Sequence, residues 1–146
     1  MWSDQEIGFW KEYLQAHHGL DGELERLDGE FDLNIAVRVD GRLDAVLKVM
    51  RVGCGYDLVG MQVEALDHLA ATMPDLPVPR VIRRHDGAAA ASVTDLFGDE
   101  RIAWVISAID GLPLGAMRPH PAALVHEIGH TIGRMTAGLE GFDHAA

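Results

Sequence analysis

Lys48 and the run His126-Glu127-Ile128-Gly129-His130 are the residues whose types and spacing could do chemistry. In Ala45-Val46-Leu47-Lys48-Val49-Met50, the alternation of a strand puts Val46, Lys48 and Met50 on one face. An ammonium among apolar neighbours is costly unless an anion meets it, so a protein carboxylate or a ligand phosphate should lie within its reach. The plainer alternative is a lysine that snorkels to water. On a helix, His126 and His130 share a face, so they could hold a zinc ion while Glu127 activates a metal-bound water for hydrolysis.

The hydrolytic pattern stops short. Gly133 extends it toward the longer zinc-peptidase string H-E-x-x-H-x-x-G-x-x-H, but Thr136 stands where the third histidine belongs, and His144 falls at a spacing that fits no such string. On the helical wheel His126 and His130 lie opposite the stripe through Ile128, which suits either a metal or plain solvent. His68, His85 and His120 have no partners at useful spacing, and Asp95, Asp99 and Glu100 read as a solvated acidic tip.

The elements that must position Lys48 follow from periodicity. A capping box of Ser3 and Glu6, with Trp2 and Ile7 as a staple, opens a first helix whose buried stripe is Ile7, Trp10 and Leu14. His17, His18 and Gly19 close it, partly protonated imidazoles suiting the helix dipole. The period then changes to that of strands over 23–27, 33–39 and 42–50, with Leu33, Ile35, Val37 and Val39 on one face. Asp40-Gly41 is the two-residue turn between the last two, both positions needing positive φ. A helix over 57–73 carries Gln62 in an otherwise apolar stripe of Leu58, Ala65, Leu66 and Leu69. Pro74, Pro77 and Pro79 force an extended return, strands follow over 89–95 and 102–109, and Asp110-Gly111-Leu112-Pro113 closes the sheet. A last helix from about His120-Pro121 is expected to bury Leu124, Ile128, Ile132, Met135 and Leu139. The fold class is α+β, helices flanking one five-stranded antiparallel sheet.

Composition narrows the function. The chain has 146 residues, about one domain, and its 12 Lys plus Arg against 23 Asp plus Glu give a net charge of −11, which excludes an extended grip on nucleic acid phosphates. With 48% apolar and 24% charged residues it can bury a core. No apolar run approaches the ~18 residues of a membrane helix, and the N-terminus lacks a basic patch followed by an apolar stretch, so a soluble cytoplasmic protein is expected. Cys54, the single cysteine, allows no internal disulfide and no cysteine-based zinc knot.

The order of elements resembles the N-terminal lobe of the protein-kinase-like fold, and more specifically the aminoglycoside phosphotransferase group with its hydroxylysine-kinase-like branch. The resemblance rests on Asp32-Leu33-Asn34-Ile35, Val46-Leu47-Lys48, Asp57-Leu58 with Gln62, and Leu76-Pro77-Val78-Pro79. It continues through Gly111-Leu112-Pro113-Leu114, Glu127-Ile128-Gly129 and Gly141-Phe142-Asp143-His144, covering nearly the whole chain from about Leu20. It implies that Lys48 holds the α- and β-phosphates of ATP, that Val46 roofs the adenine, and that Gly29 and Glu30 lie in the loop over the phosphates. Ser107, Ala108 and Ile109 would form the hinge that meets the adenine edge. Gln62 would orient Lys48 where many kinase-like proteins carry a glutamate, while Glu64, roughly 200° further round the helix, faces away. The loop departs from the family in having one glycine and bulky Phe31 in place of a glycine series.

On this resemblance residues 1–110 form the ATP-binding lobe, and 111–146 a hinge and helix leading toward a second lobe. No string like H-G-D-x-x-x-x-N occurs, so the aspartate that positions the acceptor and the Mg2+ ligands are expected on that second lobe. The chain then reads as the N-terminal portion of a longer phosphotransferase acting on an amino alcohol or aminoglycoside-like hydroxyl, inactive alone. It is also expected to form homo-oligomers through exposed apolar surface. Two other classes remain: a zinc hydrolase built on His126, Glu127 and His130, and a noncatalytic module that binds a partner protein.

Overall fold

A computed structural model describes residues 2–109 and 111–145; Asp110, which opens the expected 110–113 connection, lies outside the described residues. The elements run α1 (Asp4–His18), β1 (Glu23–Leu27), β2 (Leu33–Val39), β3 (Arg42–Val49), α2 (Tyr56–Thr72), β4 (Val81–Ile82), β5 (Ala90–Thr94) and β6 (Glu100–Ser107). A short turn at Leu114–Ala116 then leads to α3 (Ala122–Gly138). The capping box is formed: Ser3 Oγ accepts from the Glu6 N–H at 3.2 Å and Glu6 Oε2 from the Ser3 N–H at 3.0 Å. The strands pair antiparallel in the order β1-β2-β3-β6-β4, with β5 beside β6. The α+β architecture and the five expected strands are present. The proline-rich return adds β4, a sixth strand of two residues, and β6 ends at Ser107, so Ala108 and Ile109 leave the sheet.

One irregularity decides what faces what. Asp40 and Gly41 adopt φ of 50° and 77°, the turn their types require. Counting back from that turn in a regular hairpin would set Leu33 opposite Lys48. A bulge between Val37 and Arg38 shifts the register by one residue and sets Asn34 there instead. The same shift sets Leu33, Ile35 and Val37 on the face of Ala45, Leu47 and Val49, while Val39, expected to be buried with them, ends the strand beside the turn at 38% exposure.

Both faces of the sheet are covered. Trp10, Tyr13 and Leu14 of α1 pack on Ile35, Val37, Ala45, Leu47, Val49, Ala103 and Val105. Val59 and Val63 of α2 pack on Met50, Ile102 and Trp104 from the other side. The buried stripe of α2 is thus Val59, Val63 and Leu69, one step round from the expected Leu58 and Gln62, which leaves Gln62 beside the core and not in it.

Two expectations are corrected. His18 is no charged cap: it is 8% exposed, and burial, helped by Arg84, pushes its pKa down to about 4, so the ring is neutral. Gly19, at φ 66°, caps the helix as expected, its N–H donating to Gln15 O at 3.1 Å. Arg84 reaches this corner from the β4–β5 connection and donates to Tyr13 Oη at 3.2 Å, while burial raises the Tyr13 pKa. The last helix, α3, buries only Gly138, with Ile132 52% and Val125 57% exposed. It is held at its C-terminal end, where a Cβ on Gly138 would lie 2.8 Å from Met73 Cγ and 2.9 Å from Leu69 Cδ2, and by Arg134, which donates to Asp75 Oδ2 at 2.7 Å. That bond holds the Asp75 carboxyl below its ordinary pKa.

Candidate functional site

Lys48 stands between two register partners, Asn34 of β2 and Trp104 of β6. Its Nζ donates to Asn34 Oδ1 at 3.1 Å and lies 6.0 Å from the Trp104 ring centroid, at the limit of cation–π attraction. Trp104 is itself pinned, its Nε1–H directed at Met50 Sδ at 3.4 Å. No carboxylate among the described residues pairs with Lys48, whereas the other lysine, Lys11, pairs with Asp21 at 3.4 Å. The half-buried ammonium is therefore held by a neutral amide and keeps its charge for something else.

That cation opens on a cavity of about 470 Å3 between α2 and the β3–β6 pair, walled by Gln62, Leu66, Trp104, Ile106, Leu139 and Phe142. Gln62 shares the cavity with Lys48, but its Nε2 donates to Leu58 O at 3.2 Å in its own helix. Glu64 points away as expected, its Oε2 bonding His144 Nδ1 at 2.7 Å. Leu139 and Phe142 arrive from the segment after α3, where the Phe142 ring also packs on His68, tilted by 52° with ring centroids 5.5 Å apart.

The remaining expected site residues flank this cavity. Val46 is half-buried on the face of Lys48 and pairs with the cavity residue Ile106. The Ser107 N–H donates to Arg80 O at 2.7 Å and the Ala108 N–H to Asp44 O at 2.9 Å, so the sheet already uses both. Ile109 lies beyond, 54% exposed. Gly29 and Glu30 are exposed on the β1–β2 loop. A Cβ on Gly29 would sit 2.6 Å from Asp32 O and 2.7 Å from Asn34 Nδ2, so only glycine lets the loop lie this close. Asp32 Oδ1 accepts the Arg51 N–H at 2.9 Å and ties the loop to the β3–α2 connection. Sequence reasoning singled out Lys48 and Gln62 but gave no role to Asn34, Trp104 or Phe142.

His126, Glu127 and His130 are exposed on α3. Among the described residues no group of three His, Cys, Asp or Glu side chains converges as metal ligands would, so the geometry gives the zinc hydrolase no support. No helix among the described residues is long and apolar enough to cross a membrane.

No protein-family model matches the chain, and no curated protein matches it in sequence. Among solved structures it is similar to the amicoumacin kinase hAmiN, in complex with AMP-PNP, Ca2+ and Ami, at a TM-score of 0.71 and 13% identity over 99% of this chain. It is also similar to a microcompartment-associated aminopropanol kinase, at a TM-score of 0.63 and 17% identity over 94% of this chain. In each case it spans 42% of the other chain. The fold is accordingly that of a kinase-like N-terminal lobe, as in these two kinases.

Proposed function

We propose that the chain is the ATP-binding N-terminal portion of a small-molecule phosphotransferase. The observation that carries this reading is the Lys48 ammonium: half-buried, bonded to one neutral amide, paired with no carboxylate among the described residues, and open to an apolar cavity. A charge that the protein leaves uncompensated favours an anion, and apolar walls beside it favour a flat aromatic body, the two parts of a nucleotide. Lys48 holds the α- and β-phosphates, and the Gly29-Glu30 loop covers them, its glycine already lying where a side chain would collide. Val46 lies against the adenine, and the Ser107–Ile109 segment meets its edge through carbonyls and Ile109, since the Ser107 and Ala108 N–H groups are engaged. Gln62 limits where the lysine side chain can turn. ATP, when bound, supplies the phosphoryl group; these residues bind it and orient it.

The two similar structures support the rest of the proposal by their names: one holds AMP-PNP and Ca2+, and both are kinases of small molecules, amicoumacin and aminopropanol. The acceptor is accordingly an amino alcohol or aminoglycoside-like hydroxyl compound. Residues 1–110 form the nucleotide lobe and 111–146 the connection to a second lobe, which contributes the Mg2+ ligands and the acceptor-positioning aspartate. The chain alone then binds nucleotide without turnover, works in the cytoplasm, and self-associates through exposed apolar residues such as Val125 and Ile132.

Titration calorimetry with Mg-ATP tests the core of this. The wild-type chain should bind saturably at one site, and Lys48→Met should bind at least about 100-fold more weakly while keeping its circular dichroism spectrum. Equal binding by the two, or no binding by the wild type, overturns the proposal.

A further inference from the structure

We infer that Asn34 is a positioning residue: its carboxamide oxygen fixes the Lys48 ammonium while its N–H2 faces the Gly29 loop, joining cation and loop into one anion-receiving unit. The identity of the anion rests on the nucleotide reading above; the geometry does not. An ammonium has donors only, so the atom that meets it at 3.1 Å must be the oxygen, and the orientation of the amide is thereby forced. The nitrogen then lies on the other side, where a Cβ on Gly29 would approach it to 2.7 Å, and it donates to no protein acceptor among the described residues. The one carboxamide thus touches the ammonium through its oxygen and adjoins the Gly29 loop through its nitrogen.

The chemistry of the amide matters as much as its place. A carboxylate in the same position would fix the lysine but neutralise it; a neutral oxygen fixes it and leaves the charge for a ligand. The bulge, which leaves Asp44 of β3 without a partner on β2, is what makes the pairing, because the regular register would offer Lys48 the apolar Leu33.

The chain contains two lysines, Lys11 and Lys48, which makes the test direct. Pyridoxal 5′-phosphate, an aldehyde carrying a phosphate, is reacted with the folded chain, the imine is reduced with borohydride, and peptide mass spectrometry gives the Lys48 to Lys11 labelling ratio. Asn34→Asp should lower this ratio about tenfold by pairing the ammonium, with no fall in melting temperature. Asn34→Leu, with the same branching and number of heavy side-chain atoms but no polar ones, should lower it severalfold and stands in should the aspartate variant fail to fold. A side chain that merely packs would leave the ratio unchanged in both, and that result overturns the inference. Mg-ATP calorimetry on the same samples separates the two claims. Labelling that falls in the variants while the wild type binds no ATP keeps Asn34 in its role and removes the nucleotide. ATP binding with an unchanged ratio does the reverse.

Discussion

On the face covered by α1, the inward residues of β3, Ala45, Leu47 and Val49, are fully buried and neutral; on the face covered by α2, the same strand turns half-buried Val46 and Lys48 toward a cavity. One strand therefore serves two environments through alternate residues. The closed face gains the free energy of apolar burial and has nothing to bind. The open face gives up part of that gain to keep a cation that no carboxylate has neutralised. The duties should be separable by substitution, and four measurements probe how cleanly.

Leu47→Ala on the closed face should have the largest effect, a loss of about 3 kcal/mol by urea denaturation, because a fully buried leucine leaves a cavity that the strands cannot collapse around. ATP affinity of the folded fraction should not change. Lys48→Met, its neighbour on the open face, should do the opposite. Beyond the loss of binding already described, it should melt no lower than the wild type, since a half-buried cation gives way to an apolar side chain of similar length. A melting temperature well below wild type would show that Lys48 supports the fold.

The corner near the end of α1 should respond to acid. His18 is neutral in the fold with its pKa lowered to about 4, but in the unfolded chain it takes up a proton near the ordinary ~6.5. The unfolded state therefore binds more protons as pH falls from about 6.5 toward 4, and stability should drop across that window by on the order of 2 kcal/mol. Denaturation midpoints of His18→Leu should show a shallower drop; an identical pH profile would remove His18 from the account. The smallest effect should come from Glu64→Gln. Its exposed pair with His144 contributes less than about 1 kcal/mol, and ATP binding should be unaltered, because Glu64 has no contact with Lys48. A drop in affinity would mean that this carboxylate, and not Asn34, governs the lysine.

Much of this could be read from the residues. The Ser3–Glu6 box, the Asp40-Gly41 turn and the placement of Lys48 on the face of Val46 and Met50 are local, and local chemistry specifies them. What escaped is non-local. The bulge at Asp44 of β3 leaves no mark that periodicity could register, so Asn34 was counted with its motif and not as the partner of Lys48. His18 does end the first helix, but its neutrality was not legible, because Arg84, whose charge helps lower its pKa, comes from a connection far along the chain. β4 is two residues among prolines, too short for any period to register. α3 has an apolar stripe as regular as that of a buried helix, yet only its C-terminal end finds a neighbour.

The outermost strand, β1, reads Glu-Leu-Glu-Arg-Leu, with Glu23, Glu25 and Arg26 exposed, and the sheet's opposite border, beyond β6, is shared by the two-residue β4 and by β5. Charge guards one margin, and brevity guards the β4 part of the other. The five residues of β5, which pairs with β6 alone among the described strands, are then the margin most open to strand addition by another copy.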